Sequence, residues 1–429
     1  MAAFKHLYPA PSLIRVNLVG SLTPTRRALL ALALGGFGIG TGEFVTLGLL
    51  PDVAGSLHVS IPQAGHLISA YAIGVVVGAP LLTGAAVRLP RKGLLITIAL
   101  VMAALNLASA AMPGFDSLLL LRFLSGLPHG AYFGVASVVA GHLVPVRRRS
   151  SAMAVVFAGL TVANVVGVPM TTLIGQHSSW RVCFVLVGVI EVAAAGCIAA
   201  LVPVEHPQPG GATPELRHEL LAFRQPQIWL SLGIATIGGG ALFATFSYIA
   251  PMMTHLAGFS PGAITPLLVL FGLGMTAGNL IGARLADRAL MRTILLALAG
   301  EIAVAIAFFF SDRNEITAAV TIFLFPCTSL AILPALQARI VGLAGGAPNL
   351  AAASIHAAFN VANSIGAWLG GLTIAAGLGY GSPNLVAAGL ALLGLGIAVV
   401  SARRDRGSQD RAATQRSIRN RAIETLPGS

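Results

Sequence analysis

Charge is scarce in this sequence. Only 9% of its 429 residues are Asp, Glu, Lys or Arg, against about a quarter in soluble domains. That excludes a water-soluble globular fold. Cysteine is scarcer: Cys183, Cys197 and Cys327 all lie inside apolar runs. They form neither a disulfide framework nor a metal-ligand spacing, so inert buried thiols are expected. No Walker-type phosphate loop occurs, which argues against direct drive by ATP. His129 and His142 have no neighbouring ligand set, which argues against a membrane enzyme. No cofactor and no metal are expected. The two tails are too short and polar for a signalling domain, which argues against a sensor. No cleavable signal peptide is expected either, because the first long apolar run begins only after Arg26-Arg27 and contains an acid.

What the chain has is apolar length. It is 56% hydrophobic, with a mean hydropathy of +0.86 and 50 glycines. Apolar runs long enough to cross a bilayer lie at about 28–50, 64–86, 93–112, 116–143, 151–174 and 181–203. Six more follow at about 227–252, 262–283, 292–310, 316–340, 350–377 and 383–401. The expected fold is an all-α membrane protein with twelve transmembrane helices in two six-helix pseudo-repeats. The expected divisions are a cytoplasmic tail (1–27), a first bundle (28–203), a linker (204–226), a second bundle (227–401) and a basic tail (402–429).

Charge in the loops sets an orientation. Arg26-Arg27, Arg88, Arg91, Lys92, Arg147-Arg148-Arg149, Arg217, Arg224, Arg284, Arg288, Arg292 and Arg339 fall on one side, and only Arg181 and Arg313 on the other. By the positive-inside rule both termini and the linker are cytoplasmic. The net charge of +12 then reflects basic loops beside the lipid bilayer rather than a nucleic-acid partner. Trp180 and Trp229 begin their spans, where indole rings favour the interface. The linker starts as a proline- and glycine-rich stretch, and Thr213-Pro214-Glu215 can cap a short surface helix running to Phe223.

The halves repeat. Val162-Ala163-Asn164 with Gly167 matches Val361-Ala362-Asn363 with Gly366, and Gly74, Gly78 and Arg88 match Gly274, Gly278 and Arg288. Internal repeats with a site between them are a design of secondary transporters.

The first run contains the most costly residue. Glu43 sits at membrane depth, where an ionisable group costs at least roughly 2.5 kcal/mol, among Gly38, Gly40 and Gly42. Two readings are open: it carries a proton or meets a cation, or it is a neutral acid bonded between helices. Arg122, Gly126, His129 and Phe133 occupy one face of the fourth run. Arg122 either snorkels or faces the cavity, pairing with Glu43 or a backbone carbonyl. His129 either titrates or bonds within a helix contact. Asn164, Asn360 and Asn363 bond substrate or join helices. Gly159, Gly167 and Pro169 make the fifth run a bendable hinge. Phe44, Tyr71, Tyr132, Phe133 and Phe246 line an aromatic cavity or pack helices. Arg88, Arg91 and Lys92, with Asp287 and Arg288, are either topology signals or a cytoplasmic gate. Glu191 and Glu301 are further intramembrane acids without an evident partner.

These motifs assemble into a resemblance over residues 28–401. GTGEFVTLGLLPDVA (Gly40 to Ala54), SIPQAGHLISAYAIGVVVGAPLLT (Ser60 to Thr83) and RFLSGLPHGAYFGVASVVA (Arg122 to Ala140) resemble the major facilitator superfamily, in its drug:proton antiporter branch of arabinose-efflux-permease-like proteins. The superfamily's loop motif between spans two and three is degenerate: Arg88, Arg91 and Lys92 match its basic positions, while Val87 stands for its aspartate and Thr83 for its leading glycine. The second copy keeps Asp287 and Arg288. Arg122 and Gly126 match the span-four arginine motif, and Gly159, Gly167 and Pro169 match the antiporter motif loosely. The resemblance implies proton-driven export by alternating access, with sugars, amphenicols or multiple drugs as cargo.

The expected protein is a bacterial inner-membrane transporter, a monomer, that exports a small organic substrate in exchange for protons. Glu43 is the coupling acid and Arg122 tunes it or competes with its proton. An importer or uniporter is the alternative.

Overall fold

The computed structural model describes residues 23–86, 90–145, 148–204, 223–344 and 348–424. The described residues form helices and turns, with no strand among them. That is what a bilayer demands, since backbone groups without water must bond within their own segment. Among the described residues, ten helices are long and apolar enough to cross a membrane. One of them, Ile264–Ser311, has 48 residues and breaks at Ala289 (φ −161°, ψ 88°), so it supplies the eighth and ninth crossings. Pro348–Ala375, 28 residues long, is the eleventh. Twelve crossings put the start of the first and the end of the twelfth on one face of the bundle, the terminal face; the opposite is the far face.

Two differences from the expected boundaries stand out. The eighth and ninth runs are joined as one broken helix rather than separated by a loop. The twelfth helix continues from Ser382 to Glu424, through most of the expected tail. Most of the linker, with its expected short helix, lies outside the described residues. Trp229 is 61% exposed, whereas Trp180 is buried against Phe184. Its ring turns into the bundle, with the Arg181 guanidinium 4.2 Å above it.

Proline explains the shape of the first and seventh spans. The first runs as helix Pro24–Phe44, a tight turn Leu47–Leu49, and helix Leu50–Leu57. The seventh ends as Gly240–Phe246 and Ile249–His255. Each distal helix carries a proline near its start, Pro51 and Pro251. A proline has no N–H for the carbonyl four residues earlier, and its ring crowds that carbonyl. The bonds lost are those to the Leu47 and Ser247 carbonyls, within the breaks that follow Phe44 and Phe246.

The pseudo-repeat is visible in backbone contacts. A methyl group at Gly74 would land on the Phe123 carbonyl and one at Gly78 on the Leu127 carbonyl. Gly274 and Gly278 meet the Phe323 and Cys327 carbonyls in the same way. The second span thus lies directly on the fourth, and the eighth on the tenth. The halves meet where the Ser69 hydroxyl donates to the Ser364 carbonyl (3.2 Å), where Gly272 abuts Asn164 and Val165, and where the first span touches the seventh. On the terminal face, Arg339 ties the seventh, tenth and twelfth spans together. It pairs with Asp405 (2.8 Å) and donates to Gln227, Ser231 and Ser401.

Candidate functional site

The broken end of helix Pro24–Phe44 lies inside the bundle, and its last carbonyls have no helical partner. Arg122 supplies one. Its Nη1 donates to the Gly42 carbonyl and its Nη2 to the Glu43 carbonyl, both at 2.8 Å. A guanidinium suits this position because its fork reaches two acceptors at once and its charge complements the negative end of a helix. Arg122 is fully buried, with its guanidinium carbon 4.3 Å from the Tyr71 ring centre and 5.9 Å from that of Phe184. Of the open readings for this residue, the structure has the backbone carbonyl.

The Glu43 side chain turns the other way, toward the second half. Its Oε1 accepts from Asn363 Nδ2 at 3.2 Å, and the residue is 6% exposed. Glu43, Arg122 and Asn363 therefore come together, from the first, fourth and eleventh spans. Asn360, one turn earlier, donates to His356 of its own helix, and Asn164 donates to Leu160 of its own. Each of the three asparagines keeps a buried side-chain oxygen without a donor.

The aromatic residues divide into two layers. Toward the far face, Phe44 packs on Phe243 (6.4 Å between ring centres) and Phe246 (5.6 Å), and Phe246 stacks on Phe271 (4.2 Å). The Gln176 amide donates to the Pro261 carbonyl at 2.6 Å nearby. Toward the terminal face, a column runs from Tyr71 through His129, Phe133 and Phe157 to His356. Tyr71 Oη and His129 Nδ1 are 3.2 Å apart. Phe133 and Phe157 stack at 4.9 Å, and Phe157 and His356 at 4.6 Å, nearly parallel. The last contact joins the fifth span to the eleventh. Tyr132 meets the column edge-on at Phe133, with 5.8 Å between ring centres, and its hydroxyl donates to the Leu32 carbonyl at 2.8 Å.

The hinge residues lie at a distortion. The fifth span passes through a wide π-turn, Ala163–Gly167, just before Pro169. A methyl at Gly159 would land on the Ala33 carbonyl, and one at Gly167 on the Thr41 hydroxyl, so this span needs small residues to touch the first. Arg88 lies outside the described residues. Arg91 Nη1 lies 3.2 Å from His142 Nδ1 and Lys92 is half-buried. Asp287 and Arg288 are exposed at the Ala289 break. Glu191 has a partner after all, Asn106 (3.0 Å), and Glu301 lies beside Ser329 in the second half.

Phe157, His356 and Asn106 did not figure among the expected site residues. His356 was findable: with Asn360 and Asn363 it repeats the i, i+4, i+7 spacing that singled out Arg122, Gly126 and His129. Asn106 is a lone amide in the middle of an apolar run. Phe157 carries no signal, since phenylalanine is ordinary in a spanning helix. Among the described residues no group of three or more His, Cys, Asp or Glu is placed to hold a metal ion.

A buried acid, arginine and amide between two repeated bundles can hold and release a proton. Comparison with known proteins gives this arrangement its setting. The model of the Major Facilitator Superfamily matches residues 32–347. The chain belongs to this superfamily. It is 40% identical over 378 residues to the inner membrane transport protein YdhP of Escherichia coli (strain K12), covering 88% of this chain and 96% of that one. It is 35% identical over 367 residues to the chloramphenicol resistance protein of Streptomyces lividans, covering 83% and 90%. A solved structure of a bacterial homolog of the human lysosomal transporter Spinster, inward-facing and unoccupied, has a TM-score of 0.74 at 17% identity, over 90% of this chain and 98% of that one. That likeness concerns the fold. This superfamily member is accordingly a multi-pass membrane transporter of small molecules.

Proposed function

We propose that this transporter exports a small, partly apolar organic molecule from the cytoplasm of a bacterium, across its inner membrane, in exchange for protons. Glu43 is the acid that couples the two movements. One observation carries the reading: the buried Glu43 carboxyl lies on the boundary between the halves, bonded to Asn363 of the opposite half. A group in that position feels any relative motion of the halves, so its protonation and the state of the transporter are linked. Arg122, bonded to the same helix end, puts a positive charge there that competes with the proton.

The aromatic layers on either side support a cargo with an apolar face over a purely polar sugar. The printed name of the Streptomyces lividans relative, a chloramphenicol resistance protein, supports an amphenicol-like compound as the first to try. Loop charge supports cytoplasmic termini. The terminal face is then the cytoplasmic one, and the packed Phe44, Phe243 and Phe246 rings separate Glu43 from the far, outer side.

The test is proton flux in proteoliposomes with a trapped pH-sensitive dye. Amphenicols, sugars and lipophilic cations are added against an imposed proton gradient, with wild type and Glu43→Gln side by side. The expected result is a compound that moves protons in wild type and not in the variant. A variant that still exchanges protons would remove Glu43 as the coupling acid. A wild type in which no compound moves protons would overturn antiport.

A further inference from the structure

A second carboxyl stands behind the same helix. Glu191, from the sixth span, is 2% exposed. Its Oε2 accepts from Asn106 Nδ2, on the third span, at 3.0 Å. The first span meets this pair with glycines. A methyl at Gly38 would lie 3.1 Å from Glu191 Cγ, and one at Gly42 3.7 Å from Asn106 Nδ2. Gly42 is also the residue whose carbonyl Arg122 holds.

The pairing leaves two atoms bare. Glu191 Oε1 and Asn106 Oδ1 are both buried without a donor. A carboxylate and an amide oxygen are both acceptors, so the ionised pair cannot satisfy either. One proton on Oε1 turns an acceptor into a donor, which is what a bare amide oxygen such as Oδ1 requires. The ionised form has a different supporter. Arg122 holds the carbonyl of Gly42, the glycine that lies against Asn106, and its buried Nε has no acceptor. The titratable and charged groups on the side of Glu191 are Tyr71 of the second span and Arg122 of the fourth, while the Glu43 side chain turns away to Asn363. The third span offers Asn106 and no charge at this depth. Each form of Glu191 thus has its own partner, which a merely structural acid does not need.

We infer that Glu191 is a second proton-binding site of the transporter, with Asn106 receiving its proton and the arginine shared with Glu43 supporting its anion. The inference rests on the proton-coupled reading of Glu43 for its purpose in transport, but its titration is measured independently.

The experiment is infrared difference spectroscopy of the full-length protein in lipid nanodiscs, titrated between about pH 5 and about pH 9, following the carbonyl stretch of protonated carboxyls. Wild type, Glu43→Gln, Glu191→Gln and Asn106→Leu are compared. The expected result is a titrating band that survives Glu43→Gln, is lost in Glu191→Gln, and changes its midpoint in Asn106→Leu. A Glu191 band that is constant over the range, or absent throughout, overturns the inference. Should Glu191→Gln fail to fold, an unmoved midpoint in Asn106→Leu overturns it equally. Loss of a separate titrating band in Glu43→Gln reports on Glu43 alone, so failure of one acid is distinguishable from failure of the other.

Discussion

The Asn363 amide and the Glu43 carboxyl are 320 positions apart in sequence and 3.2 Å apart in space. Theirs is a side-chain hydrogen bond between the first bundle and the second, and the acid at its centre is the one proposed to carry the proton. Removing the amide should therefore weaken coupling without emptying the site of its acid. A hydrogen bond to a charged group contributes about 1.5–3 kcal/mol, about tenfold or more in rate. Asn363→Ala is expected to slow cargo-driven proton exchange by that factor in the dye assay. Exchange at the wild-type rate would mean the contact has no part in transport.

Arg122 gives a prediction about stability rather than coupling. Its two bonds end on carbonyls that helix Pro24–Phe44 cannot satisfy itself. Lysine keeps the charge but lacks the fork, so one carbonyl is orphaned. An unsatisfied buried acceptor costs about 1–3 kcal/mol. Arg122→Lys should lower the thermal midpoint of the detergent-solubilised protein, and Arg122→Ala should lower it further. Equal midpoints for Arg122→Lys and wild type would contradict the capping role.

The sequence made some of this legible and hid the rest for physical reasons. Glu43 and Arg122 stand out because an ionisable group in an apolar run has a large cost and needs a purpose. Asn363 stands out because it repeats Asn164. That Arg122 would bond the Glu43 backbone rather than its carboxyl depends on where the first helix ends. Pro51 signals that break, though the signal lies eight residues downstream of the acid. Trp180 read as an interface residue from its place at the start of a span. Its burial depends on a cleft beside Phe184, which only the packed bundle supplies. The Phe157–His356 contact was invisible because a ring in an apolar helix has no reason to be noticed until its partner is known.

That contact carries the third prediction. Phe157 lies between Phe133 and His356, stacked on both, and it is part of what holds the fifth span to the eleventh on the terminal face. A ring pair contributes about 0.5–1.5 kcal/mol beyond its buried area, so losing it shifts a two-state population by about twofold to tenfold. Phe157→Ala should favour separation of the halves at this face. Spin labels at positions 148 and 288, both exposed, in a background with the three cysteines replaced, should report a larger share of long distances. An unchanged distance distribution would show that the stack does not hold the halves together.

The last prediction lies outside the membrane, in the turn after the ninth span. The Asp312 side chain is buried with Oδ2 unpartnered, close enough to Gly381 that a methyl there would sit 2.7 Å from that oxygen. Burial pushes its carboxyl up from 3.8 to about 6, against the pull of the neighbouring Arg313. The sign follows from proton linkage. Between the two values the folded state binds a proton that the unfolded chain has released, so stability falls as pH rises through this window and levels off above it. Asp312→Asn has no proton to lose. Its thermal midpoint should exceed that of wild type above about pH 6, and the difference between the two proteins should shrink as pH is lowered toward 4. A difference that stays constant across the window would mean that Asp312 titrates alike in the folded and unfolded states.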